Sequence, residues 1–166
     1  MKLFKKLAAA VLVAALALMM VGCGSKTVLT RQVKNAVSDF AAAFYHEQVT
    51  DSKDLDALAA KLLTECDNAI AASKEGEQPD LWELLDDEKF LQKVGIDPEK
   101  DAYFVSWEPV PSYLSDTRNM EKPFVLAQEL LHWDYEIGAP EAGSKYEFGL
   151  AIGTLDGEDY ALMIVK

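Results

Sequence analysis

The C-terminal stretch from Tyr146 to Val165 constrains the fold most. Tyr146 to Thr154 and Asp159 to Val165 are two apolar runs of strand length on either side of Asp156-Gly157. That dipeptide suits the two positive-φ positions of a type I′ hairpin turn. With Leu155 facing Glu158, the register follows: Gly149 opposes Ile164, Ala151 opposes Leu162 and Gly153 opposes Tyr160, while Phe148, Leu150 and Ile152 oppose Val165, Met163 and Ala161. Both faces of this pair are apolar. A strand pair buried on one side only alternates apolar with polar residues, so the hairpin is predicted central, with helices over one face and a second cover over the other. The cover is either the chain's own loops and third helix, or another protomer or partner protein. The second possibility makes Phe148, Leu150, Ile152, Met163 and Val165 a candidate interface.

The rest of the chain supplies helices first. Leu29, Val33, Ala36, Val37, Phe40 and Phe44 recur at three- and four-residue steps, which predicts a helix from about Val28 to Gln48. Asp51 or Ser52 can cap a second helix, with Asp54 in its first turn and Leu55, Leu58, Ala59, Leu62, Cys66, Ala69 and Ile70 on one stripe ended by Gly76. Cys66 lies inside that stripe and reads as a buried small hydrophobe; a reactive thiol would need a base nearby, for which His46 is the candidate. A third helix is predicted from Leu81 to Val94, with Trp82 and Phe90 widening its apolar side and Gly95 stopping it.

Beyond Asp97-Pro98 the period changes from 3.6 to 2. Ala102 to Val110 reads as a strand with Tyr103, Val105 and Trp107 on one face, ended or held at an edge by Pro109 and Pro111. Residues 112 to 122 form a polar loop, a natural lip for a groove. Pro123 to Ile137 reads as an extended run with a bulge near Gln128-Glu129, although Pro123 to Leu131 also fits a short helix. Together these elements predict an α+β fold in which two or three N-terminal helices pack on a C-terminal antiparallel sheet of about four strands. Residues 28 to 166 form one domain, because neither half has a complete core of its own.

The N-terminus gives an address. Lys2, Lys5 and Lys6 precede an uncharged run from Leu7 to Val21, then Gly22 and Cys23, the parts of an export signal. The run is shorter than the ~20 apolar residues a spanning helix needs. Met20-Val21-Gly22-Cys23, followed by Gly24 and Ser25, resembles the lipobox of bacterial lipoproteins, with Met20 where Leu is commonest. The resemblance implies removal of residues 1–22, a lipid on Cys23, and a short linker through Thr27 to a domain held in the cell envelope. Gly24 in place of Asp implies the outer membrane in double-membrane bacteria, and otherwise the outer face of the cytoplasmic membrane. A pilin-like leader would carry a glutamate just inside the hydrophobic run, whereas no acidic residue precedes Asp39. Several acyl chains, each worth about 0.8 kcal/mol per buried CH₂, tether a domain that one chain would hold only marginally.

Charge narrows the partners. The chain carries 16 Lys+Arg against 28 Asp+Glu, a formal charge of −12; loss of the three leader lysines takes it to −15. Such a surface repels nucleic acid and anionic headgroups, so it is either solubilising or directed at a cationic partner, and membrane attachment falls to Cys23.

Chemistry-bearing patterns are sparse: the chain has no G-x-S-x-G elbow, Walker loop, G-x-G-x-x-G, H-E-x-x-H or C-x-x-C, and nothing in it calls for a cofactor. On an extended strand, His132, Asp134 and Glu136 would share one face at about 6.6 Å spacing. That is too wide for all three to hold one ion, though two of them with His46 or a loop carboxylate would suffice. The expectation is a non-enzymatic envelope lipoprotein that binds a protein or surface polymer, or itself, through the sheet or the 112–122 loop. The alternative is a hydrolase or metal-dependent enzyme acting through His132 with Asp134 or Glu136.

Overall fold

The structure, a computed structural model, describes residues 26–45, 49–74, 76–110, 122–132, 135–138 and 146–166. The leader, Cys23, His46, Asp134 and nearly all of the 112–122 loop lie outside the described residues. Helix α1 (26–40) runs into a π-helical turn, Ala41–Tyr45. There follow β1 (Val49–Asp51), α2 (Lys53–Ala72), α3 (Leu81–Asp86), α4 (Glu88–Val94), β2 (Tyr103–Pro109), α5 (Lys122–Leu130), β3 (Tyr135–Ile137), β4 (Tyr146–Leu155) and β5 (Glu158–Val165).

The five strands form one sheet in the order β1-β4-β5-β2-β3. The β4–β5 hairpin lies at its centre in the register read from the sequence, from Phe148 opposite Val165 to Leu155 opposite Glu158. Asp156 at φ 49° and Gly157 at φ 82° make the turn, the double positive φ that a type I′ turn requires. β2 pairs antiparallel with β5 and with β3, but β1 pairs parallel with β4, Val49 to Asp51 against Tyr146 to Phe148. The sheet is therefore mixed and five-stranded rather than antiparallel and four-stranded. A three-residue strand has too little length to show a period, and the Thr50-Asp51 signal that reads as a helix start is shared with the end of β1.

Helices cover both faces. α2, α3 and α4 bury Leu55, Leu62, Leu63, Cys66, Leu85 and Val94 against Val105, Ala151, Leu162 and Ile164. α1 and α5 bury Val33, Val37, Phe40, Leu126 and Leu130 against Phe148, Leu150, Met163 and Val165. The second cover required by the two-sided hairpin is thus α1 together with α5, and α5 lies between β2 and β3 in the chain, so the helices are not all N-terminal. The segment from Pro123 onward takes its helical option. Leu126, Ala127, Leu130 and Leu131 are all buried at the spacing of one helix face, and Pro123 sits in the first turn, where its missing N–H costs no bond.

Local chemistry fixes the joints. Asp80 and Glu83 form a reciprocal capping box at the start of α3. Asp87 breaks the expected Leu81–Val94 helix in two, because its carboxylate accepts from Lys89 N and Phe90 N and so starts α4. Gly95, at φ 102°, ends α4. α2 is bound tightly to β4. Ser52 N donates to Phe148 O at 2.8 Å, and Leu150 N, beyond the reach of β1, donates to Asp56 Oδ1 at 2.9 Å. A side chain at Gly149 would overlap the backbone of Leu55 and Asp56, so glycine there is a condition of the helix–sheet contact.

Candidate functional site

Two open grooves flank the sheet, and they differ in chemistry. The first lies where α2 has ended and α3 has just begun, leaving the hairpin-turn end of the sheet uncovered. It has a volume of about 630 Å³ and is lined by Ile70, Asp80, Leu81, Trp82, Trp107, Leu155, Asp156, Glu158 and Tyr160. The strand positions follow from period 2: Trp107 opposes Leu162 across β2–β5, and Tyr160 is two residues before Leu162 on the same face. α3 contributes Trp82 because its buried stripe is Leu81, Leu84 and Leu85, which leaves position 82 at the rim, 46 % exposed.

The rings form a cluster. Trp82 meets Trp107 edge-on with centroids 4.8 Å apart and Tyr135 edge-on at 5.6 Å. Edge-to-face contacts of this kind are worth about 0.5–1.5 kcal/mol beyond burial, and here they fix a half-exposed indole in place. The Tyr135 hydroxyl donates to Asp86. Burial, followed by the Asp86 carboxylate, pushes the phenol up to about 12. Asp80 Oδ1 accepts from Glu83 N at 2.8 Å, so its helix-capping duty orients it. Among the described residues no ion pair engages Asp156 or Glu158, and no basic residue lines the groove. The site combines exposed ring surface with three carboxylates.

The second groove, about 400 Å³, is lined by Thr27, Thr30, Arg31, Lys34, Asn35, Ser38, Asp51 and Phe148. Its central charge is neutralised internally: Lys34 Nζ lies 2.6 Å from Asp51 and 2.5 Å from Asp56. Burial works to lower the Lys34 pKa, but the hydrogen bonds and charges of Asp51 and Asp56 outweigh it and hold the ammonium above its usual range. The same Asp56 accepts from Leu150 N, so this cluster ties α1, α2, β1 and β4 together.

Of the residues singled out from the sequence, His46 and Asp134 lie outside the described residues. His132 falls in the turn after α5 and is exposed, with Nδ1 3.5 Å from Glu129 Oε2. Glu136 is exposed on β3. His132 thus lies in a turn and Glu136 on β3 (Tyr135–Ile137), while Asp134 lies outside the described residues. Among the described residues no group of three or more His, Cys, Asp and Glu is placed to hold a metal ion. Phe148, Leu150, Met163 and Val165 are buried and Ile152 is half-buried under the chain's own α1 and α5, so the interface expected on that face falls on internal core. Cys66 is fully buried, and burial, with a smaller contribution from Glu65, pushes its thiol up to about 12.

Sequence reasoning missed the aromatic groove because Trp82, Trp107 and Tyr160 each read as core on their own element. The available signal was Trp82, a large ring adjoining Leu81 but off the Leu81/Leu84/Leu85 stripe. Among the described residues no helix is long and apolar enough to cross a membrane. No protein-family model, curated protein or solved structure matches this chain.

Proposed function

We propose that this chain is a cell-envelope lipoprotein, tethered through a lipid on Cys23, that works as a non-enzymatic binding module. The observation that carries the binding role is the Trp82–Trp107–Tyr160 groove with its carboxylates. Half-exposed rings in a soluble domain offer contact area at low entropic cost. The groove is open to water, where charge pairs are weakened by a high effective dielectric. That suits recognition better than bond breaking, which draws its rate from preorganised groups in a water-excluded site. The leader and the Met20-Val21-Gly22-Cys23 motif supply the address, and the acidic domain that follows has no other attraction for an anionic membrane surface.

The two halves of this reading are tested separately. Mass spectrometry of the mature N-terminus is expected to find residues 1–22 removed and Cys23 acylated; an unmodified Cys23 removes the anchor. For the binding role, native lipidated protein and its Trp82→Ala variant are used to recover partners from the envelope of the producing cell, with circular dichroism showing both folded. Recovery is expected to fall in the variant, and equal recovery would exclude the groove as the binding face.

A further inference from the structure

We infer that the Trp82 groove takes a small organic cation, one carrying alkylammonium or guanidinium groups, with its charge shared among Asp80, Asp156 and Glu158. This inference rests on the reading of the groove as the binding face and names the class of ligand. Three observations converge on it. The volume, about 630 Å³, falls within the range of roughly 300–1,000 Å³ typical of small-molecule sites. Among the described residues the lining combines Trp82, Trp107 and Tyr160 with three acids and no base, and indole is the best of the side-chain rings for holding a cation over its face. The acids are built into the walls: Asp80 is held by its helix-capping bonds, and Asp156 is placed by the hairpin turn, its backbone N–H donating to Asp67 Oδ1 at 2.9 Å. That bond brings a fourth carboxylate close to the groove.

A neutral sugar would use the rings and leave these charges unmatched, and an anionic ligand would be repelled. The second groove shows the contrast within the same chain. There an acidic pair already holds a cation, the ammonium of Lys34, at 2.6 and 2.5 Å, whereas among the described residues the Trp82 groove has acids without a lining cation.

The test is isothermal titration of the full mature chain with spermidine at low and physiological salt. Parallel arms use a neutral oligosaccharide, magnesium ion and a short lysine-rich peptide. Saturable one-site binding of spermidine is expected, weakened by salt and weakened about tenfold by Trp82→Ala. Trp82→Phe should stay within about threefold of the native chain, and Glu158→Gln should weaken binding several-fold. Glu147→Gln removes one charge at the far end of β4 and should leave affinity unchanged. Thermal unfolding of each variant separates lost binding from lost fold.

Equal weakening by Glu147→Gln and Glu158→Gln, or displacement of spermidine by equimolar magnesium ion, would reduce the effect to diffuse charge and overturn the inference. Binding of the peptide but not of spermidine would overturn the small-molecule assignment. Trp82-dependent binding of the oligosaccharide with no response to spermidine would overturn the cationic class while leaving the groove as the binding face. No heat from any probe, together with partner recovery unaffected by Trp82→Ala, would overturn both.

Discussion

The two grooves sit on opposite faces of one sheet and handle charge in opposite ways. At the α1–β1 groove every element that meets contributes to a closed set: Lys34 lies between Asp51 and Asp56, and Asp56 also accepts from the backbone of Leu150. At the α3–hairpin groove the carboxylates of Asp156 and Glu158 have no ion-pair partner among the described residues, and the rings beside them stay half in water. Charges that a fold needs are matched within it, because an unmatched group at a helix–sheet junction costs stability. Asp156 and Glu158, with no ion-pair partner among the described residues, stand beside ordered rings where a cationic ligand would meet them. The first groove is accordingly a joint, and the second is the groove proposed as the binding face.

That contrast can be broken by mutation, and the largest effect is expected where the sheet meets α2. Gly149→Val would drive a side chain into the backbone of Leu55 and Asp56, and the expected outcome is at least about 3 kcal/mol of lost stability, or no folded protein. Urea denaturation followed by circular dichroism measures it. Phe148→Ala, in the core beneath α1 and beside the joint, should cost about 3–5 kcal/mol. Trp82→Ala, at the rim of the site, should cost about 1 kcal/mol by the loss of its ring contacts. If the Trp82 variant were the more damaged of the two, the groove would be structural and the contrast would fail.

Smaller effects sharpen the picture. Lys34→Met should cost about 1 kcal/mol, a value held down by the solvent exposure of Asp51. Its pH dependence has a definite sign. The folded-state pKa of Lys34 lies above the unfolded value near 10.5, so its contribution is fully present below that pH and is lost as pH rises through the higher folded-state value. The stability gap between native chain and Lys34→Met should therefore be constant from pH 7 to 9 and close in strong alkali. Cys66 supplies the smallest effect at neutral pH. Its thiol, at about 12 in place of 9.0, should resist alkylation in the folded chain at pH 8 and react once urea unfolds it, as read by peptide mass spectrometry. Rapid labelling of folded protein would place Cys66 outside the core. Because its folded-state pKa is raised, the stabilisation it reports is present below pH 9 and declines as pH climbs toward 12.

Much of this arrangement was legible from residues alone, and the limits have physical causes. The hairpin register could be read in full because Asp156-Gly157 admits one turn geometry and the alternation on both sides agrees with it. The need for two covering layers followed from the absence of a polar face. What could not be read was their source. α5 and β3 share a segment whose apolar residues fit both periods, and only packing against Phe104 and Met163 on the sheet selects the helix for its first half. β1 is too short to carry a period. The expected His132, Asp134 and Glu136 row depended on that same segment being extended, and His132 instead falls in the turn after α5. The aromatic groove was invisible for a different reason: its lining comes from α2, α3, β2 and both arms of the hairpin, and no local pattern records which distant rings will share a rim.

The most direct measurement of the contrast between joint and site is a pair of two-dimensional NMR spectra of the mature chain, with and without spermidine. The indole N–H signals of Trp82 and Trp107 and the backbone amides of Asp156 to Tyr160 are predicted to shift together and to saturate, while those of Thr30, Lys34 and Ser38 stay in place. Shifts centred on Lys34 and its neighbours, or small shifts spread over every acidic surface, would contradict it.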